Sequence, residues 1–222
     1  MAERPAVKIG VLVSGSGTNL QAILDAVERG ELKADVRVVI SNQAKAYALE
    51  RARNHGIAAL TIDHRRFASR EDFDRALVNE LGAHDVELVV CAGFMRLLSR
   101  VMLDAYPCRI MNIHPALLPS FPGIHGSRDA IEYGVRVSGC TVFFVTEGVD
   151  VGPIIIQAAV PVLPGDDEKT LAERIHREEH RIYPEAIRLY QEGRLQVSNR
   201  SVIIRDADTP SESLALVNPR PR

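Results

Sequence analysis

The sequence predicts an α/β protein: a three-layer, Rossmann-like domain with a mostly parallel, twisted sheet and helices on both faces. Apolar runs of strand length alternate with segments of helical period, the pattern that builds a parallel sheet through right-handed crossovers. The first run, Val7–Val13 (VKIGVLV), is nearly continuous, as expected for a strand buried on both faces. It leads into Ser14-Gly15-Ser16-Gly17-Thr18-Asn19 and then a stripe of Leu20, Ile23, Leu24 and Val27. Strand, glycine loop and helix together aim backbone N–H groups and a helix start at an anion.

The loop lacks the third glycine of a dinucleotide fingerprint, since Leu20 stands there. The second strand, Val36–Ile40, ends in Ser41-Asn42 with no acid to hold a ribose, so a lone phosphate fits better than a dinucleotide. The bland alternative is a tight turn with Thr18 as helix cap. Ala44–Asn54 reads as a helix closed by Gly56, and Ala58–Ile62 as a short strand. Ser69 caps a helix with Glu71 and Asp72 in its first turn and Phe73, Leu77, Val78 and Leu81 on its apolar stripe. Val86–Cys91 is another buried strand, followed by Phe94-Met95-Arg96-Leu97-Leu98, which forms a bulky lip or simply starts the next helix.

Arg109–Ile113 enters Asn112-Ile113-His114-Pro115, where residues two apart on a strand share a face. Pro115 biases His114 to extended geometry. An amide N–H stabilises an oxyanion and an imidazole trades protons near neutral pH, so the pair has catalytic character; the alternative is a polar strand end. Gly126–Tyr133 is helical with Gly134 as its stop, and Val137–Thr146 and Ile154–Val160 are strands. The acidic loop Glu147–Pro153 between them offers a carboxylate to His114, or is a solvated turn. The last helix runs from Asp166 towards Gln191, with a kink expected at Pro184. Arg194–Asp206 pairs as a small hairpin around Ser198-Asn199.

At 222 residues the chain is long enough for one large domain, expected over residues 1–206. Residues 207–222, with Pro210, Pro219 and Pro221, read as a flexible tail. A hydrophobic content of 46% is ample for a core, and a net charge of -2 with mixed signs suggests no nucleic-acid or membrane partner. Cys91, Cys108 and Cys140 include no C-x-x-C pair, which favours a reducing, cytoplasmic setting over a disulfide scaffold or zinc site. No signal peptide or membrane-length apolar run is evident. His176-Arg177-Glu178-Glu179-His180 matches an inverted zinc-peptidase pattern, but no third ligand is evident, and charged helix faces match it often.

Taken together, several of these stretches resemble the folate-dependent formyltransferases. Ser14–Gln21 is similar to the family's phosphate loop, Ala92–Leu98 to its folate-pocket segment, and Asn112–Pro115 with Leu117-Leu118-Pro119 to its catalytic strand end. Asp150-Val151-Gly152-Pro153-Ile154-Ile155 and Glu179–Pro184 match later motifs, so the likeness runs from about Val7 to Arg194. The resemblance implies formyl transfer from 10-formyltetrahydrofolate, a co-substrate, to the amine of phosphoribosylglycinamide, without metal, in a monomer or homodimer. It implies a catalytic trio of Asn112, His114 and Asp150, phosphate contacts from Gly17, Thr18 and Asn19, and ribose contacts from Glu179. Arg70, Met95, Arg96, Leu97 and Leu98, with Asn112, match folate contacts. Phe143 departs from the pattern, since many relatives carry histidine there. A formyltetrahydrofolate hydrolase needs no phosphate loop, a transferase acting on tRNA would call for a basic RNA-binding domain after this one, and a non-catalytic binding module needs no intact trio.

Overall fold

The computed structural model describes residues 4–206; the segment expected to be a tail, 207–222, lies outside them. The strands are β1 (Val7–Val13), β2 (Ala34–Ser41), β3 (Ala58–Thr61), β4 (Leu88–Cys91), β5 (Ile110–His114), β6 (Val137–Phe144), β7 (Ile154–Pro161), β8 (Leu195–Ser198) and β9 (Ser201–Ile204). The helices are α1 (Thr18–Glu28), α2 (Tyr47–Asn54), α3 (Arg70–Ala83), α4 (Arg100–Ala105), α5 (Gly126–Tyr133) and α6 (Glu168–Gln191). One sheet holds all these strands in the order β3-β2-β1-β4-β5-β6-β7-β9-β8.

From β3 to β5 the pairing is parallel, and β6 runs antiparallel to both β5 and β7. The apolar residues of β1 divide between two clusters, Val7, Ile9, Val11 and Val13 with α1, α2, α5 and α6, and Leu12 with α3 and α4. That division is the period-two alternation of a strand covered on both faces. The chain winds outward from β1 to β3, then restarts on the other side of β1 with β4 and β5. The carboxyl ends of β1 and β4 therefore flank a topological switch point, where open α/β sheets bind ligands.

Most boundaries fall within a few residues of those expected. Ser69 caps α3 by accepting from the Asp72 N–H, and Asp167 with Thr170 forms a capping box at the start of α6. Gly134 ends α5 in the left-handed region. Helix α6 is continuous through Pro184. Buried Tyr183 hydrogen-bonds through its hydroxyl to the Cys91 and Met111 carbonyls, each at 3.0 Å, and so fixes α6 to the end of β4 and to β5.

Candidate active site

Helix α1 starts without a side-chain cap. Gly17, not Thr18, holds the N-cap position, at φ 73, and no acidic residue occupies the first turn. A Cβ at Gly17 would sit 2.5 Å from the Ala48 Cβ, so both the left-handed backbone and the close approach to α2 need glycine. The first-turn N–H groups are thus left to an external anion. Thr18 lines a polar cavity of about 370 Å³ with Gln21, Asp25, Arg51 and His180. Buried Asn19 turns inward, and its amide donates to Glu179 Oε2 at 2.9 Å. Asn19 Oδ1 has no partner among the described residues. Burial pushes the Glu179 carboxyl above the usual carboxylate range, opposed by the Asn19 hydrogen bond and by His176 and His114. The zinc-like pattern in α6 therefore resolves differently: Glu179 faces Asn19, while the His176 and His180 rings stack at 6.3 Å.

A second cleft, of about 210 Å³, opens at the carboxyl ends of β4 and β5. Asn112, His114 and Asp150 line it together with Met95, Arg96, Leu97 and Leu98. Met95–Leu98 is a loop rather than a helix start, since α4 begins at Arg100. Phe143, opposite Asn112 in the β5–β6 ladder, is buried in the cleft wall. Burial pushes the Cys91 thiol, also in the wall, up to about 12, which leaves it protonated at neutral pH. Arg70 does not line this cleft; its guanidinium lies 3.6 Å from the Glu71 carboxylate.

The three residues that the resemblance groups together meet in this cleft, with one addition. Asp150, at φ 52, brings Oδ2 to 3.5 Å from His114 Nδ1 and accepts the Gly123 N–H at 2.8 Å. A Cβ at Gly152 would collide with the Phe144 carbonyl, so glycine lets this acidic loop fold onto β6. The His114 Nε2 lies 2.7 Å from the Phe121 carbonyl. A carbonyl only accepts, so Nε2 carries a hydrogen. With Nε2 carrying a hydrogen, Nδ1 presents an N–H towards Asp150 only when the ring holds both of its hydrogens. The Asn112 amide has no hydrogen-bond partner among the described residues and remains open to the cleft. The Phe121 tether was not evident in the sequence; the only local sign is its position in the Pro-rich exit from β5.

Known proteins place this geometry in context. A family model described as formyl transferase matches residues 7–187. The phosphoribosylglycinamide formyltransferase of Escherichia coli is 44% identical over 209 residues, covering 94% of this chain and 99% of that protein. The trifunctional purine biosynthetic protein adenosine-3 of Drosophila pseudoobscura pseudoobscura is 48% identical over 198 residues, 88% of this chain, and the chain spans only 14% of that longer protein. Among solved structures, glycinamide ribonucleotide transformylase 1 from Symbiobacterium toebii superposes with a TM-score of 0.89 at 59% identity, covering 90% of this chain and 94% of that one. The phosphoribosylglycinamide formyltransferase from Coxiella burnetii gives 0.86 at 42% identity, covering 90% and 93%.

Proposed function

This chain belongs to the formyl transferase family, and from that membership we propose that it transfers the formyl group of 10-formyltetrahydrofolate to the amine of 5'-phosphoribosylglycinamide. The products are the N-formyl ribonucleotide and tetrahydrofolate, a step of purine biosynthesis. The observation that carries the reading is the convergence of Asn112, His114 and Asp150 on one cleft, beside a glycine loop with an uncapped helix start. The relatives' names supply the formyl group and its acceptor; the folate donor and the ligand-contact residues below come from the family resemblance, and the geometry supports the roles given to Asn112, His114 and Asp150.

The nucleotide phosphate takes the Gly17–Asn19 backbone N–H groups, and Glu179 accepts from ribose hydroxyls. The folate lies along Met95–Leu98, and Arg70 is at most an outer contact in this reading. The neutral amine attacks the formyl carbon, and the carbonyl oxygen becomes an oxyanion. The open Asn112 amide donates to that oxygen, and so does His114 Nδ1–H. A separation of 3.5 Å from Asp150 is too long for a full hydrogen bond, so Nδ1–H is not fully spent there. The attacking nitrogen loses a proton towards Asp150, directly or through water. Collapse of the intermediate breaks the bond to folate N10, which leaves with a proton. The reading requires no metal and no covalent enzyme intermediate.

A cytoplasmic setting belongs to the same reading and accords with three unpaired cysteines. Among the described residues no helix is long and apolar enough to cross a membrane. The test uses 10-formyltetrahydrofolate labelled in its formyl carbon. The label is expected in the ribonucleotide product, in equal amount to the tetrahydrofolate formed; label found only as free formate would mean hydrolysis and overturn the proposal.

A further inference from the structure

One hydroxyl spans the switch point between β1 and β4. Ser14, the first residue after β1, donates from Oγ to Asn42 Oδ1 at 2.7 Å. The same oxygen accepts the Met95 N–H at 2.8 Å, and the Ser14 N–H donates to the Gly93 carbonyl at 3.0 Å. The Asn42 amide nitrogen in turn lies 3.4 Å from His64 Nδ1, so polar contacts run along the carboxyl ends of β2, β1 and β4. The far end of the lip is also held: the fully buried Asp74 accepts the Ser99 N–H at 2.5 Å. Between these two anchors Met95 and Leu97 stay exposed, at 62% and 52%, on the rim of the folate cleft. A serine hydroxyl has one hydrogen and two lone pairs, and here it joins the glycine loop to the lip.

We propose that Ser14 is a positioning residue for the formyl donor, setting the Met95–Leu98 lip against the glycine loop through the Met95 N–H. The inference rests on the proposed transfer reaction. Without Oγ, the Met95 N–H and Asn42 Oδ1 both lose their partner at the edge of the cleft. The lip then loses its fixed distance from Asn112, while the backbone N–H groups at Gly17–Asn19 keep theirs. The two substrates therefore respond differently to the same change.

The test compares kcat and both KM values in wild type, Ser14→Ala and Ser14→Thr, with 10-formyltetrahydrofolate and phosphoribosylglycinamide as substrates. Ser14→Ala is expected to raise the formyl-donor KM about tenfold, the scale of one or two lost hydrogen bonds, while the nucleotide KM and kcat change less than about threefold. Ser14→Thr keeps the oxygen and is expected to bring the donor KM back towards wild type. Ser14→Cys, similar in size but a weaker acceptor, is expected to show the same split as alanine, so the test does not depend on one variant folding. An unchanged donor KM in both Ser14→Ala and Ser14→Cys overturns the role. An equal rise in both KM values also overturns it, because the hydroxyl would then only shape the glycine loop. Absence of transfer by the wild-type chain would instead remove the proposed reaction, and this role with it.

Discussion

His114 donates from Nε2 to the Phe121 carbonyl, which leaves Nδ1–H as the hydrogen it can lend to a substrate. In the proposed reaction its use as an oxyanion donor then depends on Asp150, whose carboxylate lies 3.5 Å from Nδ1 and sets which way that N–H is drawn. Asp150→Asn removes that charge while keeping an acceptor for the Gly123 N–H, and asparagine tolerates the left-handed backbone found there. Turnover is expected to fall about 10²- to 10⁴-fold, with the melting temperature nearly unchanged. Near-normal turnover would remove Asp150 from the chemistry. Glu179 gives a second test. Its folded pKa is raised by burial, so between the unfolded value of about 4.3 and the raised one the folded chain holds a proton that the unfolded chain has lost. Stability therefore falls as pH rises through that window, and the cost is complete above it. Glu179→Gln should melt measurably higher than wild type at pH 8 and lose that advantage near pH 4. Its nucleotide KM should rise. A lower melting point for the glutamine variant at pH 8 would contradict the burial argument.

The strand end works because neighbouring elements hold its exit. Thr141 on β6 faces His114 across the β5–β6 ladder, and its hydroxyl donates to the Ala116 carbonyl at 2.7 Å while accepting the Leu118 N–H at 3.1 Å. Thr141→Val keeps the branched shape but strands both backbone groups, a loss of about 1–3 kcal/mol expected in denaturant melts. Because the segment leads to Phe121, turnover should fall with it; full activity in a destabilised variant would show that the exit does not position His114. This part of the site was only half legible in the sequence. Asn112 and His114 stood out because period two and the following proline set their geometry locally. The Phe121 tether did not, since a left-handed phenylalanine is imposed by the closure of Pro115–Gly123 on the site rather than by its own preference. The reach of Asp150 to His114 was legible as a possibility through the glycines of its loop, and the likeness to known formyltransferases then singled it out from Glu147. Arg70 matched a family position, yet at the exposed start of α3 it pairs with Glu71 instead of lining the cleft.

Across the whole molecule, the parallel half of the sheet was readable from buried apolar runs, because a strand covered on both faces has no polar alternation to hide it. The direction of β6 was not, since its mixed pattern fits either orientation and only the ladder with β5 decides it. The fold places the glycine loop, the lip and the Asn112/His114 pair at the carboxyl ends of β1, β4 and β5, and the β6–β7 loop brings Asp150 to His114. In the proposed reaction two substrates meet at this one edge, the nucleotide by the start of α1 and the folate by β4. An enzyme built this way has reason to hold its formyl group until the amine arrives. The measurement closest to that claim follows tetrahydrofolate absorbance after adding 10-formyltetrahydrofolate, with and without phosphoribosylglycinamide. Release only in the presence of the ribonucleotide is the predicted result; release at the same rate without it would mean that water is the acceptor, and would contradict the account.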